Sequence, residues 1–348
     1  MVQRGKRWRR YSWLIVRDGS LFLMSIVLAM TVIFFLVHVV PGDPARLILG
    51  PEATQEMVDK LRHEMGFDLP VYVQFFNFVR GIVFEGKFGL SFMTGNQVSS
   101  DIIRYFPATF ELVTITMIFA FVVGILFGVA SGMNQNKMID KVVQTFIAGG
   151  VALPSWFLGL LSQLVLAYWL RILPVAGRLD LNITLSRITG LDLIDSILTF
   201  NFSALISCVR HLILPVLTLS ASPIAQFSRV LRASVIEENA KDYVMVAEAN
   251  GLPSVLIRYK YMLKNAISAP LTLGALQYAW LLGNAFVVEA VFSWDGLAIY
   301  GRDAAMSRDV NAMVGVTVLM VVVFLITNAI LDFLHATLDP RIGGVTRS

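Results

Sequence analysis

Six runs of residues free of Asp, Glu, Lys and Arg decide what this chain can fold into: 21–40, 112–133, 142–170, 212–228, 266–288 and 310–331. Each is about as long as a helix must be to cross the roughly 30 Å hydrocarbon layer of a bilayer. In that layer no water satisfies backbone N–H and C=O groups, so a run of this length bonds to itself as a helix. The rest of the composition agrees. Hydrophobic residues make up 56% of the 348 and charged residues 15%, with mean hydropathy +0.71, far too apolar for a soluble globular chain. The expectation is an all-α integral membrane protein with six transmembrane helices.

Lys and Arg set its orientation, because positive residues flanking a span resist translocation. Arg4, Lys6, Arg7, Arg9 and Arg10 crowd the N-terminus, and placing both termini in the cytoplasm puts the denser Lys/Arg segments inside. The first apolar run is too long for a removable signal and lacks a small-residue cleavage site, so it reads as an anchor. The predicted division is a cytoplasmic tail 1–20, a first span 21–40 and an extracytoplasmic segment 41–111 with surface helices. A five-helix core 112–333 follows, containing a cytoplasmic loop 233–265, and then a cytoplasmic tail 334–348. The sequence pI of about 9.2 thus reports topology and contact with anionic lipid; no aromatic-basic motif supports nucleic-acid binding. Cys208, the lone cysteine, excludes an internal disulfide or a cysteine metal cluster.

Several local signals stand out along the chain. Thr54 can cap a helix carrying Met57, Leu61 and Met65, and Pro70 suits the start of another with Val71, Phe75, Phe78 and Val79 on its apolar side. Gly124, Gly128 and Gly132 repeat at spacing four, which lets a neighbouring helix approach closely. Pro154 should kink the third span. Gln277 and Asn284, seven residues apart on the fifth, share a face and need partners at that depth; with Tyr278 and Trp156 they are candidates for a wetted path. Glu289, Phe292 and Trp294 close that span at a candidate outer gate.

The most structured loop is Lys241 to Asn265. Tyr243, Val246 and Ala247 lie on one helical face, and Val255, Leu256, Tyr259, Met262 and Leu263 on a second. Gly251-Leu252-Pro253 between them supplies stop and start chemistry, so the spacing predicts two short helices joined by a turn.

Asp, Glu, Lys and Arg are missing from the six runs, and His38, His63, His211 and His335 sit at helix ends or in loops, which disfavours a secondary transporter with a buried proton or sodium relay. A phosphate-cradling Gly-rich loop ending in Lys-Ser/Thr is missing too, as are the motifs of embedded proteases. Energy must therefore enter from outside the chain.

At this point the residues resemble a family: the permease subunits of bacterial ABC importers in the dipeptide, oligopeptide and nickel group. The likeness runs through Pro41-Gly42-Asp43-Pro44-Ala45, Leu153-Pro154-Ser155-Trp156, Leu173-Pro174 with Gly177-Arg178, Arg210-His211-Leu212 with Leu214-Pro215, and Gly251-Leu252. It continues through Lys264-Asn265-Ala266, Glu289 with Phe292-Ser293-Trp294 and Gly296-Leu297, and Leu338-Asp339-Pro340-Arg341. The resemblance implies a type I importer permease fold in the bacterial inner membrane, and it makes Lys241–Asn265 a coupling loop. Lys241, Asp242, Tyr243, Ala247, Glu248, Gly251, Leu252 and Arg258 would then meet a cytoplasmic ATPase. One departure is visible: where the broad importer pattern has Glu-Ala-Ala, this chain has Met245-Val246-Ala247. The resemblance further implies a second permease, two ATPase subunits carrying ATP and Mg, and an extracytoplasmic solute-binding protein, with no cofactor in this non-catalytic chain. The large segment between the first two spans points to the B-type permease, and the cargo to short peptides, with nickel or metal chelates, glutathione or oligosaccharides as alternatives.

Overall fold

The computed structural model describes residues 24, 27, 28, 30–32, 34, 35, 44–49, 52–64, 66–86 and 88–338. These residues form helices, with one isolated bridge between Leu90 and Gln97. In chain order the helices are α1 (Pro44–Leu49), α2 (Gln55–Glu64), α3 (Val71–Glu85), α4 (Val98–Gly132), α5 (Met138–Ala152) and α6 (Ser155–Ser162). α6 widens into a π-turn at Gln163–Trp169. Then come α7 (Asp192–Leu198), α8 (Phe202–Asn239), α9 (Asp242–Ala249), α10 (Ser254–Leu256), a second π-turn Ile257–Met262, α11 (Leu263–Ala266), α12 (Ser268–Phe292), α13 (Leu297–Met306) and α14 (Val310–Leu338).

Among the described residues α4, α8 and the part of α14 to Thr327 are each long and apolar enough to cross a membrane, and two bent pairs, α5 with α6 and Ser254–Gly274 with Leu276–Phe292, bring the number to five. The apolar run 21–40 falls largely outside the described residues, as do Pro41–Asp43 and Asp339–Arg341. Several helices exceed the expected limits. α4 starts at Val98, with Pro107 inside it, and α8 spans 38 residues around Pro215 and Pro223. α4 therefore carries charged residues, Asp101 and Arg104, in the turns that precede its apolar run.

The third span is a correction. The chain does not kink at Pro154 but turns through 97°. Leu153 is extended (φ −106°, ψ 137°), the conformation that proline imposes on the residue before it, so α5 ends and α6 begins afresh.

Two compact units are present. In the first, formed by residues 1–105 and 300–325, Thr54 caps α2 as expected, its Oγ1 accepting from Met57 N at 3.4 Å. Val58 rather than Met57 is the buried side chain of that helix. Phe78 and Val79 of α3 pack on a cluster of Met30, Ile82, Val314 and Val318, and Phe75 meets Phe34 with ring centres 5.2 Å apart, while Val71 remains exposed. The loop before α4 is pinned by buried carboxylates. Asp309 accepts from Ser91 Oγ at 2.6 Å and Met93 N at 3.1 Å, and Asp101 from Thr94 Oγ1 at 2.5 Å.

In the second unit, residues 106–299 and 326–348, α4 and α8 lie in close contact along the glycine stripe. A Cβ on Gly124, Gly128 or Gly132 would sit 2.6, 2.8 or 2.9 Å from the Cβ atoms of Phe227, Leu231 and Val235. No side chain fits in that space, so the repeat is a packing requirement. The start of α5 is tied to α8 by Asp140, which is buried. Arg232 reaches it with Nε at 2.8 Å and Nη2 at 2.7 Å, and Ser131 and the Asn136 N–H complete its shell. Such a two-pronged ion pair fixes orientation as well as distance.

Candidate functional site

The loop 241–265 folds as two short helices around a turn. Gly251 has φ +73°, a region closed to most L-residues, and its N–H closes the end of α9 on Glu248 O at 2.9 Å. The residues predicted to share a face are not all buried together. Val244, Ile257, Met262 and Ala266 join Leu231 and Val235 of α8 in one core, with Tyr243, Ala247, Leu252 and Leu263 packed around it. Val246, Val255 and Tyr259 are instead exposed, as is Met245. The π-turn Ile257–Met262 explains part of this, since one extra residue per turn rotates the later side chains off the face that a 3.6 period predicts. Val255, Leu256 and Tyr259 with Pro253 and Lys260 line a shallow surface depression.

Glu238, at the last turn of α8, holds the loop in place. Its carboxylate accepts from Tyr243 Oη at 2.6 Å, from Lys241 Nζ at 2.5 Å and from Asn265 Nδ2 at 3.5 Å. The Glu238 partnership holds the Lys241 ammonium above its usual range, and burial, then the same carboxylate, push the Tyr243 phenol up. Of the predicted coupling residues, Asp242, Glu248 and Arg258 make no side-chain bond to another described residue, whereas Lys241 and Tyr243 are bonded to Glu238. Sequence reasoning missed Glu238. Its only sequence signal is position, three residues before Lys241 and five before Tyr243.

A second assembly lies at the other end of α12. Glu289 is fully buried and accepts from Thr109 Oγ1 at 2.5 Å and Ala298 N at 2.9 Å, while Leu297 N donates to Thr109 Oγ1 at 2.7 Å. Gly296 passes so close that a Cβ there would sit 2.5 Å from both Glu289 oxygens. Trp294 Nε1 donates to Ala108 O at 3.0 Å, Gly177 N to Phe292 O at 2.9 Å, and Ser293 ends α12 with φ 48°. Glu289, Phe292 and Trp294 thus form a buried knot joining α4, α12 and the start of α13.

Beside the knot, Arg178 stacks 5.5 Å above the Trp294 ring and meets Glu111 Oε2 at 2.8 Å and Asp192 Oδ2 at 3.3 Å, all three buried. Asp192 lies on α7, whose other inward acid, Asp195, accepts from the N–H groups of Ile188, Thr189 and Gly190 and from the Thr189 hydroxyl. Burial pushes the Asp195 carboxyl up, but these bonds outweigh it and leave it below the usual range.

The path candidates separate. Gln277 is buried, and Tyr278 Oη pairs with Thr114 Oγ1 at 3.1 Å. Trp156 and Asn284 do come together, with Trp280, Thr218 and Ser222, around a recess of about 350 Å³ at the α5–α6 break. No acidic or basic residue lines it.

Residues 124–344 match the family described as binding-protein-dependent transport system inner membrane component, and residues 11–113 match its N-terminal companion. The chain belongs to this family. It is therefore a multi-pass permease of the bacterial inner membrane. It is 35% identical to a probable D,D-dipeptide transport system permease of Escherichia coli K12 over 334 residues, covering 95% of this chain and 98% of the relative. A dipeptide transport system permease of Alkalihalophilus pseudofirmus is 32% identical, covering 92% and 97%. A glutathione transport system permease of Escherichia coli K12 is 32% identical, covering 93% and 94%.

Proposed function

We propose that the permease passes short peptides from an extracytoplasmic binding protein into the cytoplasm by alternating access. It would act as one of two different permeases above two ATPase subunits that hold ATP and Mg, with six spans, both termini in the cytoplasm and no catalytic group of its own. The relatives named for dipeptide transport support this cargo; the glutathione relatives favour a second reading, in which the cargo is glutathione, itself a small peptide.

The observation that carries the coupling role is the α9–α11 element. One side is welded to α8 by a hydrophobic core and the Glu238 carboxylate. The other leaves Met245, Val246, Val255 and Tyr259 exposed beside Asp242, Glu248 and Arg258. Apolar side chains in such number, rimmed by charges, match the anatomy of an interface. An ATPase closing on nucleotide would push this element, and the weld would pass the push to α8 as a rigid lever.

The test is Gly251→Val. Nothing lies within 4 Å of a Cβ at Gly251, so the strain is confined to the backbone, about 1–2 kcal/mol for a β-branched residue at positive φ. In proteoliposomes holding the whole complex, import should fall at least several-fold while the variant still inserts. Undiminished import would remove the turn from the coupling mechanism.

A further inference from the structure

The break between α5 and α6 has a chemistry that packing does not account for. It falls midway along the apolar run 142–170, where an interrupted helix leaves backbone acceptors without donors and is tolerated only inside protein or along a cavity. Pro154 has no N–H to offer the carbonyl of Gly150. Ser155 and Trp156, which would serve Val151 and Ala152, belong to a helix turned 97° away. The first bonds beyond the break run from Phe157 and Leu158 N to Pro154 O. Three carbonyls at the negative end of α5 are thus left at the edge of the recess, which residues 150–154 themselves line.

The opposite walls continue the theme. Trp156 and Trp280 both line the recess, and with 47% and 37% of their surface exposed neither indole is buried by the rest of the chain. Asn284 uses its Nδ2 on Trp280 O at 3.0 Å, leaving Oδ1 an acceptor with no partner among the described residues. Carbonyls, an amide oxygen and two indole faces, with no carboxylate and no competing cation, suit an ammonium group. An isolated carboxylate here would hold a cation too tightly to release it; neutral acceptors bind weakly enough for passage.

We propose that this recess is a transient subsite for the α-ammonium group of the peptide in transit. This rests on the importer reading above and adds to it a recognition step within the membrane, separate from the binding protein.

The experiment uses the complete complex in proteoliposomes, with binding protein and the dipeptide alanyl-alanine, and reads import and ATP hydrolysis together. Trp280→Phe keeps an aromatic face, whereas Trp280→Leu keeps apolar bulk without one. Import should survive in the first and fall about tenfold in the second, the scale of a desolvated cation–π contact, with binding-protein-stimulated ATP hydrolysis unchanged in both. Equal import by the two variants would overturn the proposal. Should the leucine variant fail to assemble, Asn284→Asp and Asn284→Lys decide: a carboxylate should retain the dipeptide and lower its KM, and an ammonium should repel it and block import. Equal effects from both would mean that the recess acts by shape alone and sink the assignment. If the unaltered complex hydrolyses ATP yet accumulates no peptide, the importer reading itself fails, a result distinct from either variant outcome.

Discussion

The Tyr243 hydroxyl donates to the Glu238 carboxylate across 2.6 Å, joining the first turn of α9 to the last turn of α8. Glu238 is buried and Tyr243 half-buried, and the same carboxylate also receives Lys241 and Asn265. A single side chain at a helix end therefore holds the loop 241–265 against α8.

Removing that carboxylate takes the acceptor from the half-buried Tyr243 hydroxyl and the anchor from Lys241 and Asn265, which are exposed and turn to water. Glu238→Ala should lower the amount of solute imported per ATP hydrolysed by about tenfold, and Tyr243→Phe, which loses one bond, by about threefold. The ratio of import to hydrolysis in proteoliposomes is the measurement. Ratios equal to the unaltered permease in both variants would leave Glu238 with no part in transmission.

The glycine stripe predicts a sharp difference between two classes of glycine. Gly128→Leu should cost about 1–3 kcal/mol or more by overpacking, since even a Cβ meets Leu231 at 2.8 Å. Gly149→Ala, with nothing within 4 Å, should be neutral or slightly stabilising through helix propensity. Thermal unfolding in detergent separates them, and equal midpoints would contradict the α4–α8 contact.

Arg178 and Glu111 are a buried pair whose partners cannot be removed singly at low cost. Arg178→Met should destabilise by about 3–5 kcal/mol because Glu111 is left charged and dry. Adding Glu111→Leu should recover part of that loss, read as a coupling energy in a double-mutant cycle. Additive losses would place the two charges in separate environments.

Asp195 makes α7 acid-sensitive. Its folded carboxyl titrates below the usual 3.8, so its contribution is complete above that value and is lost as pH falls through the lower folded one. The unfolding midpoint should drop as the pH is lowered from 5 to about 3. Asp195→Asn, already neutral, should start lower and show a smaller drop. Parallel pH curves for the two proteins would remove the residue from the acid response.

Much of the candidate site was legible from pattern. Gly251 was placed at a turn because glycine followed by proline has few other uses between helical runs, and the turn is there. Gly124, Gly128 and Gly132 announced a close helix contact, though not that Phe227, Leu231 and Val235 would fill it. The faces of the loop were less legible. Val255 and Tyr259 were placed on one face with Met262 and Leu263, yet they are exposed while those two pack, because a π-turn over Ile257–Met262 shifts the period and because an apolar face can await a partner as well as a core. Glu289, Phe292 and Trp294 were recognisable as a group, but their burial depends on Thr109 and Ala108, some 180 residues away in the chain.

By itself the sequence determined that this is a helical membrane protein, where its apolar runs lie and which loop carries a turn. Those properties follow from local chemistry: the solvent preference of each side chain, backbone bonding in hydrocarbon, and the special dihedrals of glycine and proline. Only the tertiary structure decided that Pro154 divides a span at 97°, that Asp140 answers Arg232 across 92 residues, and that Glu238 carries the loop. Such pairings depend on which surfaces meet once the helices pack, and charge or polarity alone leaves many partners equally open until geometry chooses one.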